Sequence, residues 1–195
     1  GSTIRPRATL AVSLIIVVAS LVIVIGVLKG NTGGEIDRNE PEPTVLSPTS
    51  RVYDVIKLVG NMGWSDRGSL QTPGSAQWKA AQWISDDDPK KMELTPTQEL
   101  MNRYILATLY FALGGEEWYM QMNFLSNADS CKWHDPLSSE SGIPTTVGVS
   151  CYNGESVREI FLPAMNLKGS LPSELGLMLD LYDINLFRNK IEGVI

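Results

Sequence analysis

The chain has 195 residues, room for one domain with appendages, and 43 % of them are apolar. Sixteen Lys and Arg against 22 Asp and Glu give a formal charge of −6 at pH 7. That balance argues against nucleic acid as a partner, because phosphates need a basic surface.

Much of the apolar share lies in one block, "ATLAVSLIIVVASLVIVIGVL", residues 8–28, after a short flank of residues 1–7. The block carries no charge, and a helix of that length spans roughly 30 Å, the thickness of a bilayer core. It predicts a single transmembrane helix. The rival reading is a cleaved signal sequence, but those apolar regions are usually shorter, and no small-x-small cleavage site follows. Arg5 and Arg7 precede the block, whereas Lys29 and Arg38 follow among acidic residues. The slight bias favours an N-terminus in the cytoplasm and a C-terminal part outside the cell. Of the 16 basic residues 14 lie beyond the block with all 22 acidic ones, so that part carries −8.

Residues 29–50 are rich in Gly, Pro, Glu and Thr without an apolar period, which reads as a flexible stalk. Three helices are expected next. Ser50–Gly60 places Val52, Val55, Ile56 and Val59 at helical spacing between a Ser start and a Gly stop. Thr72–Ser85 puts Ala76, Ala80, Trp83 and Ile84 on one side. The third begins with Thr95 as N-cap, Pro96 in the first turn and Gln98 closing a capping box, and ends at Gly114-Gly115. Its apolar face is wide enough for burial on several sides. Asp86, Asp87 and Asp88 precede Pro-Lys-Lys, a spacing unsuited to calcium, so they read as a solvated turn.

Cys131 and Cys151 are the only cysteines. In the oxidising environment beyond a membrane they predict a disulfide, worth about 3 kcal/mol for a loop of that length. Two Cys with the single His134 fall short of a zinc site, and a redox pair is usually Cys-x-x-Cys. His134 reads as a surface or loop residue.

The tail repeats itself. Ile160, Leu162, Leu167, Gly169 and Leu171 match Ile184, Leu186, Ile191, Gly193 and Ile195, each 24 residues on. With Pro172, Leu175, Met178 and Leu181 between them, the pattern is that of a leucine-rich repeat. Asn189 falls where such repeats hydrogen-bond the backbone of the bend; Met165 holds that place in the first coil. The second coil breaks off early, which suggests a natural chain that continues. Leu171, Leu175, Leu181 and Leu186 are then expected to face an open end.

Cys131, Trp133, Gly148, Val149 and Cys151 resemble the C-x-W-x-G-V-x-C signature of plant-type extracellular leucine-rich-repeat proteins, with residues 134–147 enlarging the gap. The helical run "RYILATLYFALGGEEW" before Cys-x-Trp is similar to membrane-anchored repeat proteins of unicellular algae. The resemblance covers about residues 72–195. Together these readings give an α+β chain: a single transmembrane helix, a mostly helical N-terminal cap over 51–156, then the start of a leucine-rich-repeat solenoid over 157–195, with 24-residue coils and short parallel strands.

The function expected is a membrane-anchored, single-pass plasma-membrane recognition protein, receptor-like or adhesive, with its repeats extracellular. Its partners would be the membrane, through residues 8–28, and a protein, peptide or glycan ligand. A secreted inhibitor or wall-associated structural protein is the alternative. Strand alternation aims Glu159, Phe161 and Pro163 in the first coil, with Asp183, Asn185 and Phe187 in the second, toward that ligand, and an exposed Phe is expected at the same place in both coils. No phosphate loop, kinase pattern, metal cluster or activated nucleophile is legible, so neither enzymatic activity nor a cofactor is expected.

Overall fold

Helix α1, Arg51–Asn61, forms because Val52, Val55 and Val59 recur every three or four residues and all three are buried. It belongs to a computed structural model that describes residues 47, 50–138 and 144–193. Helix α2, Arg67–Gln71, starts where the Asp66 carboxylate accepts from the Ser69 N–H at 2.9 Å. In α3, Ala76–Gln82, Ser75 does the same for Trp78, at 3.0 Å. A π-helical turn, Trp83–Asp87, follows directly and swings Trp83 and Ile84 into the core.

Helix α4, Gln98–Ala112, is the axle of the domain, with ten of its 15 residues buried. Its N-cap is Thr97, whose hydroxyl accepts from the Leu100 N–H at 3.2 Å, two residues later than the expected Thr95. Gln98 donates to Asn102 at 2.9 Å instead of closing a capping box. The helix ends before Gly114, whose φ of +66° suits glycine.

Six strands follow: β1 His134–Ser138, β2 Pro144–Tyr152, β3 Ser156–Phe161, β4 Lys168–Ser170, β5 Asp183–Asn185 and β6 Lys190–Glu192. They make a mixed four-stranded sheet, β1-β2-β3-β5, and a two-stranded one, β4-β6. The first three strands run antiparallel. Then β5 pairs parallel with β3, Ile160 beside Ile184, and β6 pairs parallel with β4, Gly169 beside Ile191. Where β2 meets β3 the register slips, so Arg158 has no partner while Val157 pairs Cys151 and Glu159 pairs Ser150. This bulge lets Val157 and Ile160, three apart, both point into the core.

These facts correct the expected fold class. Among the described residues the chain forms a small mixed helix-and-sheet domain, and its two small sheets do not make a solenoid of repeats. One 24-residue step gives two parallel pairings of three residues each, whereas repeat architectures need about three or more stacked units. Within 51–156 the described elements are mainly helical, but β1 and β2 also lie there and form an antiparallel pair that was not expected. No described helix is long and apolar enough to cross a membrane. The expected transmembrane span over 8–28 and most of the stalk over 29–50 lie outside the described residues.

One core joins helices and sheet. Trp133, fully buried, meets Trp83 edge-on at 5.9 Å and Phe124 at 5.2 Å. The disulfide Cys131–Cys151 ties the turn before β1 to the end of β2. The Asn102 amide of α4 donates to the Glu155 carbonyl at 2.8 Å and fixes the β2–β3 turn. At Gly169, φ +112°, an added Cβ would stand 2.3 Å from the Ala112 carbonyl, so glycine lets β4 close on α4.

Candidate recognition surface

On β3 and β5 the alternation of side chains separates two faces. Ile160 and its partner Val149 are fully buried. The rows between point outward: Ser150–Glu159–Asp183 and Gly148–Phe161–Asn185. The first row sets two carboxylates on neighbouring parallel strands, with no ion pair to either among the described residues.

The bulge aims Arg158 to the same outer region. Its guanidinium lies over the Tyr152 ring at 5.9 Å and the Tyr182 ring at 5.6 Å. Both rings are open to solvent, 57 % and 82 % exposed. Backbone fixes the third member of this trio: the Tyr182 N–H donates to the Arg158 carbonyl at 2.8 Å. Arg188 sits over Phe187 at 5.2 Å, and that ring is 66 % exposed. Among the described residues these two arginines thus engage exposed aromatics and no carboxylate, which leaves flat apolar faces held in place by charge.

Of the residues expected to meet a ligand, Asp183 and Phe187 are exposed, whereas Glu159, Phe161, Pro163 and Asn185 are half-buried. Phe161 and Phe187 do not occupy equivalent places, contrary to expectation. Phe161 pairs with Asn185, and Phe187 lies 24 residues after Pro163. Tyr152, Arg158 and Tyr182 escaped the sequence reading because only the bulge brings them together. An aromatic on either side of the strand pair was the available signal.

Polar chemistry elsewhere is structural. Arg103, fully buried, donates Nε to Asp88 Oδ2 at 3.0 Å and Nη2 to Asp88 Oδ1. It also donates to the Ala128 and Ser126 carbonyls, at 2.8 Å each. Its guanidinium lies over Trp83 at 5.0 Å and Trp133 at 4.9 Å. Of the three aspartates expected in a solvated turn, Asp86 and Asp87 are exposed, but Asp88 is buried in this pair. A second network joins Tyr104 to Ser65 at 2.7 Å, with Ser65 and Gln77 donating to the buried Glu174 at 2.5 and 3.0 Å. Burial pushes the Tyr104 hydroxyl well above its ordinary range, and the Glu174 carboxylate adds to that.

His134 is half-buried on β1. Among the described residues no three His, Cys, Asp or Glu side chains are placed to hold a metal. No family model, curated protein or solved structure matches the chain.

Proposed function

We propose that the domain is a recognition module, receptor-like or adhesive, that binds a protein, peptide or glycan ligand through the outer face of β3 and β5 without turning it over. The observation that carries this reading is the exposed Tyr152–Arg158–Tyr182 trio. Large aromatic rings left in water are costly unless something covers them, and Tyr and Arg are the side chains that most often anchor interfaces. Glu159, Asp183 and Asn185 supply hydrogen-bonding groups beside the rings. The disulfide suits an oxidising compartment, and the apolar run over 8–28 suits delivery to or past the plasma membrane. A secreted inhibitor or wall-associated role would use the same face.

The test is an array of immobilised oligosaccharides and short peptides probed with labelled protein. Bound spots should lose most of their signal when Tyr152→Ala and Tyr182→Ala are combined, and because both rings are exposed the fold should be unaffected. Undiminished binding by the double variant, with native circular dichroism, overturns this face as the site.

A further inference from the structure

A second candidate site lies between α1 and α2, and it shares no residue with the outer face of β3 and β5. A cavity of about 200 Å³ opens there, with Tyr53 and Gly60 of α1 and the buried Leu70 of α2 among its lining. Lys57 and Asn61 reach it from α1, and Arg67 and Gln71 from α2. Helical spacing of three and four residues puts each set on one face.

The lining is one-sided in charge. Acidic residues outnumber basic ones 22 to 16 in the chain, yet no carboxylate lines this cavity and two cations do. Asp66, next to Arg67 in sequence, is engaged as the α2 cap, accepting from the Ser69 N–H at 2.9 Å and its hydroxyl at 2.5 Å. Among the described residues the side chains of Lys57 and Arg67 have no ion pair, and those of Asn61 and Gln71 have no hydrogen bond. Four donor-bearing side chains therefore meet around an apolar base with their donors free.

Gly60 adds an independent observation. Glycine weakens a helix, and here neither backbone nor packing requires it. Its φ lies outside the left-handed region, and an added Cβ would meet only Leu70 Cδ1, at an ordinary 3.7 Å. The left-handed turn after α1 is made by Gly63, at φ +68°. What the missing side chain at Gly60 leaves is room in the cavity.

We propose that this cavity binds a small organic acid, its carboxylate held between Lys57 and Arg67 and its ring resting on Leu70 and Tyr53. Arginine suits a carboxylate because its planar fork matches the two oxygens, and lysine adds a second charge from the facing helix. The volume is below the roughly 300–1,000 Å³ that takes a drug-sized ligand, so the body is about one ring. An aromatic acid and a sugar acid share this chemistry; Asn61 and Gln71 would serve the hydroxyls of the second.

The test titrates sodium benzoate and, separately, sodium glucuronate into the isotope-labelled full chain, with benzyl alcohol and glucose as their neutral counterparts. Saturable amide shifts are expected at Gly60, Asn61, Leu70 and Gln71 from at least one acid and from neither neutral compound. The tighter acid identifies the body as aromatic or sugar. Lys57→Gln combined with Arg67→Gln, both exposed positions, should weaken binding roughly tenfold or more. Gly60→Leu keeps both charges and should abolish binding by filling the cavity, whereas Tyr152→Ala with Tyr182→Ala should leave it unchanged. No saturable shift from either acid overturns the proposal, and so do equal shifts from the neutral compounds. Undiminished affinity in the Lys57 and Arg67 double variant, or in Gly60→Leu, also overturns it.

Discussion

Arg103 and Asp88 are 15 residues apart in sequence and meet where neither side chain is more than about 1 % exposed. The guanidinium hydrogen-bonds the buried Asp88 carboxylate and two carbonyls, lies over two indole faces, and has the partly exposed Glu99 carboxylate 3.7 Å away. A buried pair of this kind is costly to break from one side, because the remaining charge stays desolvated. Arg103→Met should therefore lose about 3–5 kcal/mol of unfolding free energy. The double variant with Asp88→Leu should recover part of it, since two apolar groups leave no orphan charge. Urea denaturation of the three proteins decides this; a double variant no better than the single one would show that packing, not charge, sets the cost.

The disulfide between Cys131 and Cys151 closes a loop of 20 residues. Cys131→Ser should cost about 3 kcal/mol, which for a domain of this size lowers Tm by roughly 6–12 °C. In reductant the wild type should fall to the same Tm. Scanning calorimetry with and without reductant is the check, and matching curves in oxidised protein sink the expectation.

Asn189 binds the bend of the preceding step on both sides. Its oxygen accepts from the N–H groups of Met165 and Leu167, at 2.9 and 3.0 Å. Its amide nitrogen donates to the Leu162 and Leu186 carbonyls, at 2.7 and 2.8 Å. Both N–H donors belong to buried residues. Asn189→Ala orphans them, a loss of about 1–3 kcal/mol for each group that water cannot reach. Hydrogen exchange should show Met165 and Leu167 losing protection first. Unaltered protection at those two amides would mean that the ladder holds without the side chain.

Alkaline stability should turn on Tyr104. Burial raises its hydroxyl above the ordinary 10.0, with Glu174 assisting and the Ser65 hydrogen bond opposing. The folded protein thus keeps a proton that the unfolded chain releases near pH 10. The stabilisation is complete below that pH and disappears as pH rises toward the folded value. Lys90 acts in the same sense. Its partial burial lowers its pKa, but hydrogen bonds to Asp129 and Glu99 outweigh that and raise it above 10.5. Unfolding free energy should decline between about pH 10 and 12. Tyr104→Phe should make that decline shallower while lowering stability at neutral pH by about 1 kcal/mol for the lost hydrogen bond. An unchanged slope would remove Tyr104 from the account.

Local signals in the chain were sound where one short stretch fixes its own state. The valine spacing over 52–59 led to α1, whose bounds lie within a residue of those expected. The 24-residue offset led to Ile160 and Ile184, which pair in one sheet. The two cysteines led to the bridge. The N-cap differs by two residues, because Thr95 and Thr97 are equally able acceptors and the helix starts at Gln98, after Thr97. The larger error was architectural: one parallel step was extrapolated to a solenoid, while the antiparallel hairpin of β1 and β2 beside it went unread.

What the sequence by itself determined is periodic and local: the helical faces, the spacing of like residues 24 apart, the pairing of the only two thiols. Tertiary structure alone decided that Asp88, one of three adjacent aspartates, would be buried on Arg103, and that a bulge would set Arg158 between two tyrosines. The reason is range. Hydrogen-bonded periodicity is imposed by neighbours along the chain, whereas desolvation of a charge and the aim of a bulged side chain depend on which distant surfaces close over them.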